Sequence, residues 1–573
     1  MATVAEVLVE TLVRAGVKRV LGIVGDSLNG ITDVIRARDD IDWIGVRHEE
    51  VAAFACAAEA HLTGTLAVCA GSCGPGHVHL VNGLYDCHRS RVPVLAIAAH
   101  IPSAEIGSAY FQETRPELLF RDCSSYCETI TSPSQAPRIL EIAIQNSIGH
   151  NAVSVIVISG DTANKKAETK EPRVRIHKPA TALRPSDEEI EALAKALSDA
   201  KQITILGGAG CAGAHDELMA VAEKLKAPIV HAFRGKEFIE YDNPYDVGMT
   251  GLLGFSSGYY AMENCDALLM LGTDFPYRQF YPEKAWIAQV DCRPEQLGRR
   301  THLNLGLVGD VKETLRALLP RLEVKQDRKH LDRCLAHYKK ARAHLDDLAT
   351  GKPGDKPIHP QYLTRMIDAA ASDDAIFAGD VGTPSIWCAR YLTMNGKRRL
   401  VGSWIHGSMA AAMPLAIGAQ LAFPDRQVVT LSGDGGLAML LGDLLTIVQY
   451  KLPIKIVVFN NSSLSFVELE MKAAGYLNYG TDLANPNFAA VADAMGIRGF
   501  RVEDAGDVEG ALKEAFAHDG PALIDVVVNR MELSIPPSIS KEQAAGFSLY
   551  ILRAILSGRG DEVLDLAQSN LLR

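Results

Sequence analysis

Gly433-Asp434-Gly435-Gly436 closes one apolar run, QVVTLSGD, and Asn460-Asn461 closes the next, IKIVVFNN. Ligands of doubly wound sheets sit at the carboxyl ends of strands, so two such ends can share one ligand. Asp434 offers a hard anionic oxygen, Asn461 offers a neutral amide oxygen, and the glycines let main chain approach a phosphate. Together they suit an octahedral Mg²⁺ clamped to a diphosphate. A tight Asp-Gly turn or an asparagine cap explains either motif alone. The pair in succession carries the reading.

The surrounding chain supplies strands to place them. From residue 2 to about 181, apolar runs such as VKRVLGIVG, LAVCAG, VPVLAIAAH and VSVIVISGD alternate with helical segments, which predicts a parallel sheet wrapped by helices. A polar, Pro-bearing stretch follows, ending at Ser186 as a helix N-cap. A second unit carries ITILGGAG, APIVHAF, ALLMLGTDF, WIAQVDC and LGLVGD. A charged helix and a Gly/Pro/Lys loop lead to a third, with AIFAGD, RLVGS, QVVTLSGD, IKIVVFNN and ALIDVVV. The expected fold is α/β, with three doubly wound parallel-sheet domains over residues 1–182, 183–340 and 341–530 and a helical tail over 531–573. Gly208, Gly210 and Gly213 fit G-x-G-x-x-G, but the next strand ends in Phe233-Arg234 where a ribose-binding acid belongs, so NAD is rejected.

A formal charge of -11 with both signs scattered argues against a nucleic-acid partner. Eleven cysteines with no CxxC pair fit reduced thiols in a cytoplasmic protein. The N-terminal segment reads as an amphipathic helix and not as a signal peptide.

Beyond the metal motif, GDSLNG, RHEEVAAF, CAGSCGPG, NGLYDCHR, FQET, AFRGKE, GMTGL, GTDFPYR, HGSMA, FNNSSLSF and GFSLYILRAILSGRGDEV resemble the flavin-dependent, quinone-reducing pyruvate oxidases over nearly the full length. The resemblance implies thiamine diphosphate, Mg²⁺ and FAD as cofactors. It implies oxidative decarboxylation of pyruvate to acetate and CO₂ through a thiamine-diphosphate enamine, with electrons passing via FAD to membrane ubiquinone. Rival activities are a carboligase of the acetolactate synthase kind and an oxygen- and phosphate-using pyruvate oxidase.

Site residues follow from the same resemblance. Glu49, and not Glu50, is expected to hydrogen-bond the aminopyrimidine, although two acids also suit a helix start. Met409 is the wedge that bends the cofactor; it follows Gly407, whose carbonyl accepts the pyrimidine amino group, and Ser408, a further cofactor contact. Asp434, Asn461 and the main-chain oxygen of Ser463 are the metal ligands. Gly433, Gly435, Gly436, Ser462, Leu464, Ser465 and Val467 complete that contact set, and Phe111 and Phe466 are aromatic walls. Flavin contacts are expected from Gly251, Leu252, Leu253, Gly254, Phe255, Asp274, Phe275, Pro276, Tyr277, Arg278, Asp291 and Arg293. The resemblance further implies sites shared between subunits, hence a homo-oligomer, a tetramer. Its tail would dock on membrane lipid at the inner face of the cell membrane through an apolar stripe of Val563, Leu566, Ala567 and Leu571, the last where a larger aromatic is expected.

Overall fold

The computed structural model describes residues 2–168, 176–177, 182–533 and 541–570. Eighteen strands form three parallel sheets of six. The first comprises β1 (Arg19–Gly22), β2 (Asp42–Gly45), β3 (Ala67–Gly71), β4 (Val94–His100), β5 (Tyr126–Ile130) and β6 (Val153–Ser159), in spatial order β2-β1-β3-β4-β6-β5. The second comprises β7 (Ile203–Gly207), β8 (Ile229–His231), β9 (Asp246–Met249), β10 (Ala267–Leu271), β11 (Trp286–Asp291) and β12 (Leu305–Val308), in order β12-β11-β10-β7-β8-β9. In the third, β13 (Ile376–Gly379), β14 (Arg399–Gly402), β15 (Val428–Gly433), β16 (Lys455–Asn460), β17 (Arg498–Val502) and β18 (Ala522–Val527) run β14-β13-β15-β16-β18-β17.

The expected architecture is therefore the observed one. Inner strands such as VLAIAAH and VSVIVIS are buried along their whole length, as strands covered by helices on both faces must be. Three strands absent from the sequence reading, β5, β9 and β17, each lie at a sheet edge. β5 (YCETI) and β17 (RGFRV) are half-exposed and carry too few apolar residues to stand out, and β9 (DVGM) is short and holds a glycine. The boundary expected at 340 falls inside the helix Lys329–Leu348, whose Tyr338 packs on Phe255 of the middle unit.

First and third units are joined by two helices of small residues, Glu49–Thr63 and Ala412–Ala422. Both are apolar on every side, the mark of a buried helix. Gly418 is needed at their crossing, since a Cβ there would overlap the Ala55 carbonyl. This seam fixes the chain entering Glu49 relative to the loop before Ala412.

The tail helices Lys541–Leu556 and Gly560–Asn570 close on Tyr550, Ala554 and Leu566, and Gly546 lets the first of them lie against Ala473. This corrects the apolar stripe read from sequence. Val563 and Leu566 face the protein, Leu571 lies outside the described residues, and the exposed large apolar side chains are Leu549, Leu552, Ile555 and Leu556 on the other helix and Leu564 on this one. Among the described residues no helix is long and apolar enough to cross a membrane.

Candidate active site

In each sheet the chain leaves its first strand in one direction and later returns to that strand's other side, and the crevice at this reversal is where a ligand fits. In the third sheet the crevice lies between β13 and β15, and in the first between β1 and β3. The middle sheet reverses between β7 and β10; read from the β9 edge its order is the 3-2-1-4-5-6 of dinucleotide-binding sheets.

At the third crevice the expected metal residues converge. Asp434 is the first residue of the helix Asp434–Met439 and is buried. Its Oδ2 accepts the amides of Ser462 (2.7 Å) and Asn461 (3.1 Å) and the Asn485 side chain (2.8 Å), and its Oδ1 accepts the Gly435 amide (2.8 Å). Burial pushes its carboxyl above the ordinary value while these donors pull it down. Asn461 turns its Oδ1 to the Ser463 amide (3.1 Å) and donates to Ser465 Oγ (2.8 Å). Leu464 and Leu483 pair through backbone with Thr481 and Ser462, so residues 481–485 strap the metal loop and deliver Asn485. Ser462 holds the left-handed region at φ 54°, as does Ala410 at φ 68° beside Met409. Such strained positions gather where a structure over-determines a loop.

Met409, half-buried, brings its Cε to within 3.5 Å of where a Cβ on Gly435 would stand, joining the wedge loop to the metal loop. The loop is anchored from the first unit. Ser403, which accepts the Ser408 amide (3.0 Å), donates to the buried Asp86 (2.7 Å), and Asn82 Nδ2 donates to Ser408 Oγ (2.9 Å) and Glu50 Oε1 (2.7 Å). Gly407 sits exposed at φ 80°, its carbonyl outside this bracing. Gly433 and Gly436 are cradle positions; Phe466 packs half-buried against the third core, and Val467 beside it is exposed.

The donor set fits the expected group. A carboxylate, an amide oxygen and a main-chain oxygen suit a hard cation, and the glycines leave room for phosphate oxygens. The residues that would hold Mg²⁺ and the diphosphate are thus in one place.

Glu49 stands apart from them in the first unit, where it opens its helix after the cap His48. It is buried, and its Oε2 lies 2.9 Å from His79 Nδ1, whose ring stacks on His48 at 4.4 Å. Glu50 instead turns to Asn82. The two neighbouring acids thus take different partners. Phe111 is 78% exposed between the left-handed Ala109 and Gln112, so within one chain it walls off nothing.

The middle crevice is a cleft of about 530 Å³. Gly251, Leu252, Leu253, Asp274, Phe275, Pro276, Tyr277, Asp291 and Arg293 line it. Gly254, Phe255 and Arg278 do not. The chain turns away at Gly254, whose carbonyl takes Arg390 (3.2 Å), and Phe255 is buried edge-on against Tyr338 beneath Arg342. Arg278 opens a short 3-10 turn on the surface. Gly208 and Gly210, set aside in the sequence with the NAD fingerprint, do line the cleft, pressed so close to Gly272 that a Cβ on Gly210 would lie 2.6 Å from its Cα. Arg89, Arg91, Arg234, Arg293 and Arg300 face Asp274, Asp291 and Asp310 across it, a surplus of cations suited to a diphosphate. Arg91 comes from the first unit and pairs with Asp274 at 2.8 Å. These arginines carry no motif, and folding alone collects them. Burial, and then Glu470 on the helix Ser465–Ala473, raise the Tyr277 phenol above its ordinary value.

Comparison with known proteins agrees with this layout. Residues 2–118 match the thiamine pyrophosphate enzyme N-terminal TPP binding domain, 190–318 the central domain and 380–526 the C-terminal TPP binding domain. The chain is 37% identical to the putative thiamine pyrophosphate-containing protein YdaP of Bacillus subtilis, across 99% of this chain and 98% of that one. It is 31% identical to the pyruvate oxidase of Lactiplantibacillus plantarum, across 90% and 86%. It is 28% identical to a probable acetolactate synthase large subunit of Methanocaldococcus jannaschii, across 93% of each.

Proposed function

The chain belongs to the thiamine pyrophosphate enzyme family, which makes it a thiamine-diphosphate-dependent enzyme of 2-oxo acids, and from that premise we propose that it oxidises pyruvate to acetate and CO₂ and passes the electrons through FAD to a membrane quinone. The observation that carries the oxidative reading is the middle cleft. It has dinucleotide topology and a surplus of arginine.

Thiamine diphosphate supplies a carbon nucleophile and an electron sink, and FAD accepts two electrons. The protein's part is to grip, to orient and to manage protons. Asp434, Asn461 and the Ser463 carbonyl hold Mg²⁺ and through it the diphosphate. Met409 would set the bend, the Gly407 carbonyl would accept a hydrogen bond from the pyrimidine amino group, and Phe466 with Val467 would keep water from the reacting carbon. Glu49, with its Oε2 2.9 Å from His79 Nδ1, would hydrogen-bond a nitrogen of the pyrimidine ring. Because Glu49 and the metal loop end different sheets, a homodimer in which Glu49 and Phe111 of one chain face the metal loop of the other is the smallest complete unit, and two such dimers form the tetramer. The exposed Leu549, Leu552, Ile555 and Leu556 support reversible docking on lipid at the inner face of the cell membrane, where ubiquinone is reached.

Anaerobic mixing of the flavin-loaded protein with pyruvate, followed by flavin absorbance, tests the proposal. Bleaching by pyruvate and recovery on adding a quinone are expected. A flavin that stays oxidised while acetolactate accumulates would replace the proposal with carboligation, and a strict need for phosphate would replace quinone with oxygen as acceptor.

A further inference from the structure

Asp380 ends β13 at the third crevice and was not among the residues that sequence singled out. Its side chain is 1% exposed. The carboxylate accepts the amide of Val381 (3.1 Å), and the amides of Gly433, Ala411 and Ala410 face it and oppose the burial that pushes its pKa up to about 7. These four donors are all main chain and belong to three loops: its own, the one that follows Met409, and the one that precedes Asp434. A buried carboxylate is costly to keep and is retained only where several donors converge on it.

Gly436 adds an independent observation. A Cβ at that position would overlap Asp380 Oδ2, with the Ala410 amide close behind at 3.2 Å. The last glycine of Gly-Asp-Gly-Gly therefore exists to admit Asp380, whereas Gly435 faces Met409 and Leu464 on the ligand side. Ala410, a non-glycine residue at φ 68°, is held in that region while its amide points to the same carboxylate.

We propose that Asp380 is a positioning residue that locks the Met409 loop to the Asp434 loop, so that the pyrimidine end and the diphosphate end of thiamine diphosphate are gripped as one unit. The inference rests on the thiamine diphosphate site described above and adds how its two halves are kept in register. Asp380 touches no ligand itself. Its effect passes through Ala410 to Met409 and through Gly433 to Asp434.

A double-mutant cycle tests it, using Asp380→Asn and Met409→Ala with thiamine diphosphate affinity in Mg²⁺ measured by calorimetry. Asparagine keeps the size but turns an NH₂ toward main-chain donors, so a loss of roughly tenfold is expected from leaving buried amides unpaired. If the loops are locked through Asp380, Met409→Ala should cost several-fold less in the Asp380→Asn background than in the wild type, since coupled residues are non-additive. Independent, multiplicative losses would overturn the proposal, as would a loss of thermal stability in the cofactor-free protein with unchanged affinity. Should Asp380→Asn fail to fold, Gly436→Ala disturbs the same carboxylate from the other loop and enters the same cycle under the same criterion. A wild-type protein that binds no thiamine diphosphate would instead end the site reading itself.

Discussion

The first and third sheets share one strand order, 2-1-3-4-6-5 in their own numbering, yet their crevices are finished differently. In the third, the Asp434 carboxylate takes four N–H donors, and the Asp380 carboxylate takes the Val381 amide with three further main-chain amides facing it. In the first, the carboxylate of Glu49 lies 2.9 Å from the Nδ1 of His79. The amide donors only partly offset burial, which leaves Asp434 above its ordinary value and pushes Asp380 up to about 7, whereas Glu49 faces an imidazole. One topology thus yields a grip and an acid facing an imidazole according to what stands at the strand ends.

The largest expected effect separates those two roles. Glu49→Gln should lower pyruvate turnover about a thousandfold while leaving thiamine diphosphate affinity within about threefold, read by dye-linked turnover beside calorimetry. A parallel collapse in affinity would make both sheets grips and dissolve the contrast. Next in size, Asp434→Ala should weaken Mg²⁺-dependent cofactor binding about a hundredfold, with activity returning in part at high cofactor concentration. Unchanged affinity would move the metal elsewhere.

Acid should then injure the first unit. His77 is fully buried against the Ala99 carbonyl (2.9 Å) and Thr114, and burial pushes its imidazole down to about 4. An unfolded histidine takes its proton near 6.5, so stability is full above that value and falls as pH drops toward 4. Denaturant unfolding of the wild type, less that of His77→Gln, should therefore lose about 2–3 kcal/mol between pH 7 and pH 4.5. A flat difference would show that His77 is protonated in place.

The smallest effect concerns the tail, which packs on the helix Ser465–Ala473 of the third unit but presents Leu552 to solvent. Leu552→Asp should leave stability within about 0.5 kcal/mol and dye-linked turnover unchanged, and lower turnover with quinone in anionic lipid vesicles roughly threefold. Equal rates with both acceptors would confine the tail to packing.

Legibility in the sequence followed burial. Strands β4, β6, β15 and β16 are long, apolar and central, and they announce themselves; β5 and β17 are edge strands with one buried residue each. Asp434 and Asn461 stood out because glycines and a second asparagine flank them at the strand ends, whereas Asn485 and His79 lie in segments with no period and no motif and Asp380 closes a predicted strand with no partner motif beside it. The tail's apolar stripe was readable as helical, but periodicity says only that one face is apolar, and that face turned inward on Tyr550.

Residue order alone established three parallel-sheet units and a metal-and-diphosphate chemistry, because apolar runs and glycine turns are local properties that any fold of this chain must honour. Tertiary structure decided which acid of Glu49 and Glu50 faces His79, which arginines from the first unit enter the middle cleft, and that Asp380 joins two loops. Those outcomes depend on strand order and on helices crossing at Gly418, and neither is encoded within any single stretch of sequence.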